Sequence, residues 1–193
     1  EKKTLPNGML DYYQAVYYAN KGDKSQAKKH YNTAIKLLQP DTVNTTLLIK
    51  ALYNLAYIQV EEKGYDYMVK TLTEKCIPLS KKINNRELLA YSYTQLGLTF
   101  MSVGQFDKAD EYHKEALKQF NDKENSSTSK LLTELNLVSN YCYKPDSKSA
   151  KRHLDNAKKI LQKYPNSQHF ANYYYEEAMY YTTIQAYDKS LAR

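Results

Sequence analysis

Along the middle of the chain, Leu89, Tyr93, Leu96, Gly97 and Phe100 recur at spacings of three and four, and Phe106, Ala109, His113, Ala116 and Phe120 repeat that rhythm after a short break. Such spacings put each set on one face of a helix. Gly104 lies between the two stripes, where a tight turn favours positive φ. The pattern predicts an antiparallel helix pair, and the pair recurs: 9–21 with 23–39, 45–63 with 65–82, 86–103 with 106–121, 127–143 with 146–163, and 168–185 with 187 to the end. Pro40 and Pro165 close second helices and Pro145 opens one, positions that tolerate a missing N–H. Pro78 falls inside a second helix, so a kink or an early stop is expected there.

Small residues mark the period. Ala15, Ala56, Gly97, Val138 and Ala178 are separated by 41, 41, 41 and 40 positions. Each is followed twelve positions later by Ala27, Met68, Ala109, Ala150 and Ser190. A third column, Ala34, Lys75, Ala116 and Ala157, keeps the spacing of 41. Three columns in register mean that helices approach closely at the same points in every repeat, where larger side chains would push the backbones apart.

In the third repeat, Tyr93, Leu96, Gly97, Phe100 and Ala109 form an aromatic, Leu-Gly, aromatic, Ala pattern. On these residues the chain resembles the tetratricopeptide repeat (TPR) family. His113 stands where that family usually has an aromatic. TPR units are usually about 34 residues long, and the extra residues here fall in the links 42–48, 83–89, 124–130 and 165–170, which carry Asn, Ser or Thr as N-cap candidates. Periods near 40 also suit HEAT or armadillo repeats, but the Leu96-Gly97 pair and the turn 104–109 favour TPR. The resemblance implies an all-α fold, an α-α superhelix (TPR solenoid) of about five antiparallel helix pairs. Residues 1–193 then form a single array with units near 8–48, 49–89, 90–130, 131–170 and 171–193. The last unit is truncated, so a fragment of a longer protein is expected.

Composition changes what the core is made of. The chain has 21 Tyr against four Phe and no Trp, so phenol rings must build much of the core and their hydroxyls must find partners. Five Gly and five Pro are few for a sheet protein of this length. No stretch approaches the 18 or so apolar residues of a membrane span, and no membrane contact by this segment is expected. Cys76 and Cys142 form no CxxC and have no neighbouring His, which argues against a disulfide framework or zinc and leaves the compartment, cytoplasmic or periplasmic, open.

Catalytic signatures are not found: there is no GxGxxG, Walker loop, GxSxG or HExxH, and His30, His113 and His153 sit at similar places on second helices without ligand spacing. No enzyme activity, metal or cofactor is expected. A net charge of +7 raises nucleic acid as a partner. Residues 144–163 hold seven Lys or Arg against two Asp, with Lys148, Lys151, Arg152, Asp155 and Lys159 in one stripe. A solvated outer face explains that stripe, no aromatics interleave to stack bases, and nucleic-acid binding is not expected.

In TPR arrays the first helices line a concave groove. Carried onto this sequence, the groove positions are Tyr12, Tyr13, Lys50, Tyr53, Asn54, Tyr57, Tyr91, Gln95, Asn136, Ser139, Asn172, Tyr175 and Glu176. Tyr supplies contact area at low entropic cost, and amides can bridge a peptide backbone. Lys50 is the one cation among them, so a clamp for a peptide C-terminus is not expected. The resemblance therefore implies a scaffold that binds a peptide or protein segment, a domain of the same full-length chain among them. Its long repeats and Asn-rich links are similar to the TPR arrays of bacterial sensor and regulatory proteins. The alternatives are a structural or assembly scaffold of a cell-envelope complex, oligomerising through uncapped ends, and an RNA-binding helical repeat.

Overall fold

The computed structural model describes residues 8–39, 43–120, 127–164 and 167–191; Pro40, Pro165 and the Ser190 side chain lie outside what it describes. Every described element is a helix. Turn chemistry decides where helices stop. After α1 (Met9–Asn20), Gly22 takes φ +80° and Asp23 caps α2 (Lys24–Leu38), its Oδ1 accepting the Gln26 N–H at 3.0 Å. Gly104, at φ +73°, separates α6 (Arg86–Ser102) from α7 (Phe106–Leu117). Beyond α8 (Ser127–Tyr143), Pro145 lies in the turn and Asp146 caps α9 (Ser147–Gln162) by accepting the Ser149 N–H at 3.0 Å. Asn85, in the second link, accepts the Leu88 N–H at the start of α6. Each such cap contributes about 1 kcal/mol.

The second repeat is irregular. α3 (Thr45–Ile58) runs on into α4 (Val60–Thr71), and the chain reverses within α4 at Gly64, whose φ of 76° and ψ of 171° are not helical. α4 continues through one π-helical turn (Leu72–Cys76) into α5 (Ile77–Lys82). Pro78 explains the wide turn: it has no N–H, and its ring would strike the carbonyl one turn back in a regular helix. The expected irregularity is thus a π turn just before Pro78. Lys75 sits exposed in that turn, which is why the third small column breaks there.

The fifth repeat departs from expectation. In place of a pair, 168–185 with 187 onward, there is one helix, α10 (Phe170–Leu191). Where Gly22, Gly64 and Gly104 reverse the first three repeats and Pro145 lies in the turn of the fourth, this one reads Ile184-Gln185-Ala186-Tyr187. None of these residues favours positive φ, and all continue a helix.

The chain divides into two compact bodies, residues 1–92 and 93–193. In the N-terminal body Ala15, Ala27, Ala34 and Ala56 have no accessible surface, so α1, α2 and α3 meet at the small columns around Leu38, Ile49 and Leu72. The C-terminal body is built on Leu131, Leu137, Val138, Leu154, Leu161 and Tyr173. Phenol rings carry less of the interior than expected: among the described residues the buried apolar side chains are mostly Leu and Ala, with Tyr12, Tyr31, Tyr141, Tyr173 and Tyr180 among them. Tyr31 and Tyr141 are buried, and burial pushes Tyr31 up to about 12. Their hydroxyls are bonded, Tyr31 to Asn54 and Tyr141 to Asp110 at 2.5 Å.

One packing device recurs at the 41-residue period. A first-helix ring stacks on a second-helix ring in the first, third and fourth repeats: Tyr18 on His30, Phe100 on Tyr112 and Tyr141 on His153, with centroids 5.3–5.5 Å apart and planes within 8°. Asp11 and Glu134, also at one shared position, hold the histidines: His30 Nδ1 lies 3.2 Å from Asp11 Oδ1 and His153 Nδ1 2.7 Å from Glu134 Oε2. His113 is one residue out of this column and packs elsewhere. The second repeat has Gln59 and Thr71 at the two ring positions, and Gln59 Oε1 is buried without a bond.

Candidate functional site

The predicted groove positions fall on α1, α3 and the start of α6 in the N-terminal body. Tyr13 and Tyr57 are 56% and 64% exposed, and Lys50 is also exposed. Behind them stands a bonded framework. Tyr53 stacks on Tyr57 at 6.2 Å and meets Tyr91 edge-on at 5.2 Å, with a hydrogen bond between the Tyr53 and Tyr91 hydroxyls. Burial pushes Tyr53 up to about 12 and raises Tyr91 further, so both stay neutral donors at any physiological pH.

Two of the expected contact residues serve the framework instead of an open face. Tyr12 is buried at 8% exposure, because its ring packs edge-on against Tyr31. Asn54 bonds the hydroxyls of both Tyr12 and Tyr31. The amide is therefore occupied in fastening α3 to α1 and α2. Of the expected positions in this body, Tyr13, Lys50 and Tyr57 are exposed, and Tyr53 and Tyr91 are half-buried.

In the C-terminal body, Gln95 and Asn136 are half-buried, Asn172 is exposed and Tyr175 is 69% exposed. Ser139 is buried and donates to Glu176 Oε2 at 2.7 Å. Burial raises the Glu176 carboxyl above the usual range. Beside it an open pocket of about 670 Å³ is lined by Cys142, Pro145, Tyr175, Ala178, Met179 and Thr183, among others. The pocket is mostly apolar; Glu176 is not among its lining residues, but it follows Tyr175 on α10 and its charge reaches Cys142.

Sequence reasoning did not find Tyr31 behind the first face, nor the pairing of Asp11 with His30 and Glu134 with His153. The signal was present: the spacing of 41, applied to Asp11, Tyr18 and His30, leads through three repeats to Glu134, Tyr141 and His153. The basic stripe on α9 is partly self-neutralised, with Lys151 paired to Asp155. No helix among the described residues is long and apolar enough to cross a membrane.

No family model and no curated protein sequence matches the chain. Solved structures do. The apo form of RapI aligns over 100% of this chain and 71% of its own at 16% identity and a TM-score of 0.78. Aspartyl phosphate phosphatase F from Bacillus subtilis aligns over 96% at 14% identity and a TM-score of 0.80, and this chain spans 49% of it. The TPR-like repeats of a kinesin light chain from Podospora anserina align over 96% of this chain and 90% of their own, at 15% identity and a TM-score of 0.68. Identities this low speak to the fold alone. Together with the small-residue columns and the glycine-turned helix pairs, they make the chain an all-α helical repeat of the TPR type.

Proposed function

We propose that the chain is a scaffold that binds a protein or peptide segment through the tyrosine-lined faces of its first helices, as the sensory or interaction domain of a bacterial regulatory protein. The observation that carries this reading is the exposed Tyr57 ring stacked on Tyr53, which meets Tyr91 edge-on, with Tyr13 exposed against Tyr12. Large rings left in water cost free energy unless a partner covers them, and rings held rigid lose little entropy when it does. Likeness in fold to RapI and to a Bacillus subtilis protein supports the bacterial regulatory setting. A non-catalytic role fits the acid–histidine pairs, since His153 and Glu134 are buried under a stacked ring and serve packing. The test is capture of partners from bacterial lysate on the immobilised chain, then titration of a captured partner against wild type, Tyr57→Ala and the exposed α9 control Lys159→Ala. Loss of affinity in Tyr57→Ala alone supports the reading; equal loss in the control overturns it.

An assembly scaffold is the second reading, favoured by Tyr174 and Tyr181, which are 59% and 52% exposed on α10. Light scattering across a concentration series, with a Tyr174→Glu variant, separates it from the first.

A further inference from the structure

At one position of the first helix, the second, third and fourth repeats carry Asn54, Gln95 and Asn136, while the fifth carries Glu176. In two of these four repeats the side chain bonds the preceding first helix. Asn54 does so through the Tyr12 hydroxyl, and Glu176 through the Ser139 hydroxyl at 2.7 Å. An amide oxygen would also accept the Ser139 bond, though less strongly than a carboxylate. A carboxylate adds a charge that is expensive to desolvate, and its raised pKa records that cost. The chain has 28 Lys and Arg, yet among the described residues none pairs with Glu176. Asp110 has Lys114, and Glu134 and Asp11 each have a histidine; Glu176, like Glu177 with its Tyr173 hydroxyl, has a hydroxyl donor alone. The Glu176 charge is thus not needed by the fold.

What lies beside it is the pocket. Tyr175, Ala178 and Met179 on α10 line it together with Cys142 on α8, and Cys142 is close enough to Glu176 to feel its charge. Its volume of about 670 Å³ falls within the range of roughly 300–1,000 Å³ that ligand sites occupy. We propose that this pocket binds a peptide segment in which Lys or Arg stands next to a large apolar side chain, the cation on Glu176 and the apolar group between Met179, Tyr175 and Cys142. The proposal rests on the reading of the chain as a peptide-binding scaffold and names the chemistry of one partner.

Charge complementarity makes it testable, because the protein's net charge points the other way. A chain of +7 attracts acidic peptides at long range, so a preference for a cationic one must come from a local carboxylate. The probes are two fluorescein-labelled decapeptides with blocked ends, each carrying two Phe-Lys or two Phe-Glu pairs in a Ser/Gly background, titrated by fluorescence anisotropy against the full chain. The Phe-Lys peptide is expected to bind at least tenfold tighter than the Phe-Glu peptide. Glu176→Gln, which places the residue type of Gln95 here and leaves an acceptor for Ser139, should bring that ratio to about one with a melting temperature no lower than that of the wild type. Met179→Arg should weaken both peptides. Equal or reversed preference in wild type, no saturable binding of either peptide, or a ratio unchanged by Glu176→Gln overturns the proposal. A lysate partner whose binding is lost in Tyr57→Ala but indifferent to Glu176→Gln overturns this site while leaving the general reading standing.

Discussion

The imidazole of His113 lies so close to Gly97 that a Cβ built on Gly97 would stand 2.4–2.6 Å from three of its ring atoms. Both residues are fully covered, and His113 has no accessible surface. Gly97 is in the body of α6, where no positive φ calls for glycine; the close approach of α7 does.

Gly97→Ala should therefore destabilise the protein by a net of about 1–3 kcal/mol, the usual cost of overpacking a tight contact. Helix propensity works in the opposite direction, favouring Ala over Gly by about 1 kcal/mol, so a net loss reports the contact. Urea denaturation measures it. In a His113→Ala background the same substitution should become neutral or stabilising, since the added methyl then enters vacated space.

His113 also carries an acid sensitivity. Both ring nitrogens are buried without a partner. Burial holds its pKa down to about 4, partly countered by the nearby Asp110 carboxylate. The folded pKa lies below the unfolded value of about 6.5, so the fold prefers the neutral ring. The stabilising contribution is complete above pH 6.5 and is lost as pH falls from there towards 4. Between pH 7.5 and pH 5 the wild type should lose about 2 kcal/mol more than His113→Leu does. Parallel denaturation curves for the two proteins at both pH values would put the titration elsewhere.

The repeated acid–histidine contact predicts coupling. Glu134 and His153 are each no more than 5% exposed and 2.7 Å apart, whereas Asp11 and His30 are 20–24% exposed and 3.2 Å apart. Double-mutant cycles to Ala should give an interaction of about 1–3 kcal/mol at the fourth repeat and a smaller one at the first. A larger coupling at Asp11–His30 would mean that the stacked ring, not the acid–histidine contact, sets the energy.

Helix pairs, their period and most of their ends were legible in the sequence because they depend on local chemistry: three-and-four spacing, glycine at the reversals, and Asp or Asn at the caps. Pro78 announced the irregular second repeat for the same reason. The fifth repeat was misjudged because extending a period assumes its turn, and residues 184–187 contain nothing that makes one. The groove was legible only as a set of positions. Whether a position faces solvent or a neighbouring helix depends on the side chain one repeat away. Tyr12 disappears under Tyr31 and Asn54, while Tyr57, on the same kind of face, stays open. Sequence periodicity does not resolve that difference.

Asn54 and Tyr57 consequently separate stability from recognition. They lie three residues apart on α3, but Asn54 is spent on the Tyr12 and Tyr31 hydroxyls, whereas Tyr57 is 64% exposed and touches the framework by stacking on Tyr53. Asn54→Ala leaves two buried phenols short of a partner, and such a loss costs about 1–3 kcal/mol of stability. Any effect of this variant on binding should come through loosening of α1 against α3, and should shrink at lower temperature as the folded population recovers. Tyr57→Ala removes exposed surface and should change stability by less than about 0.5 kcal/mol. If a partner covers that ring, its affinity should fall by about 1–2 kcal/mol, as for a central aromatic contact. Thermal melts and titration of a captured partner, run on both variants, give four numbers. The assignment requires Asn54→Ala to dominate the melts and Tyr57→Ala to dominate the titrations. The reverse order would place the ligand on Asn54 and return Tyr57 to the framework.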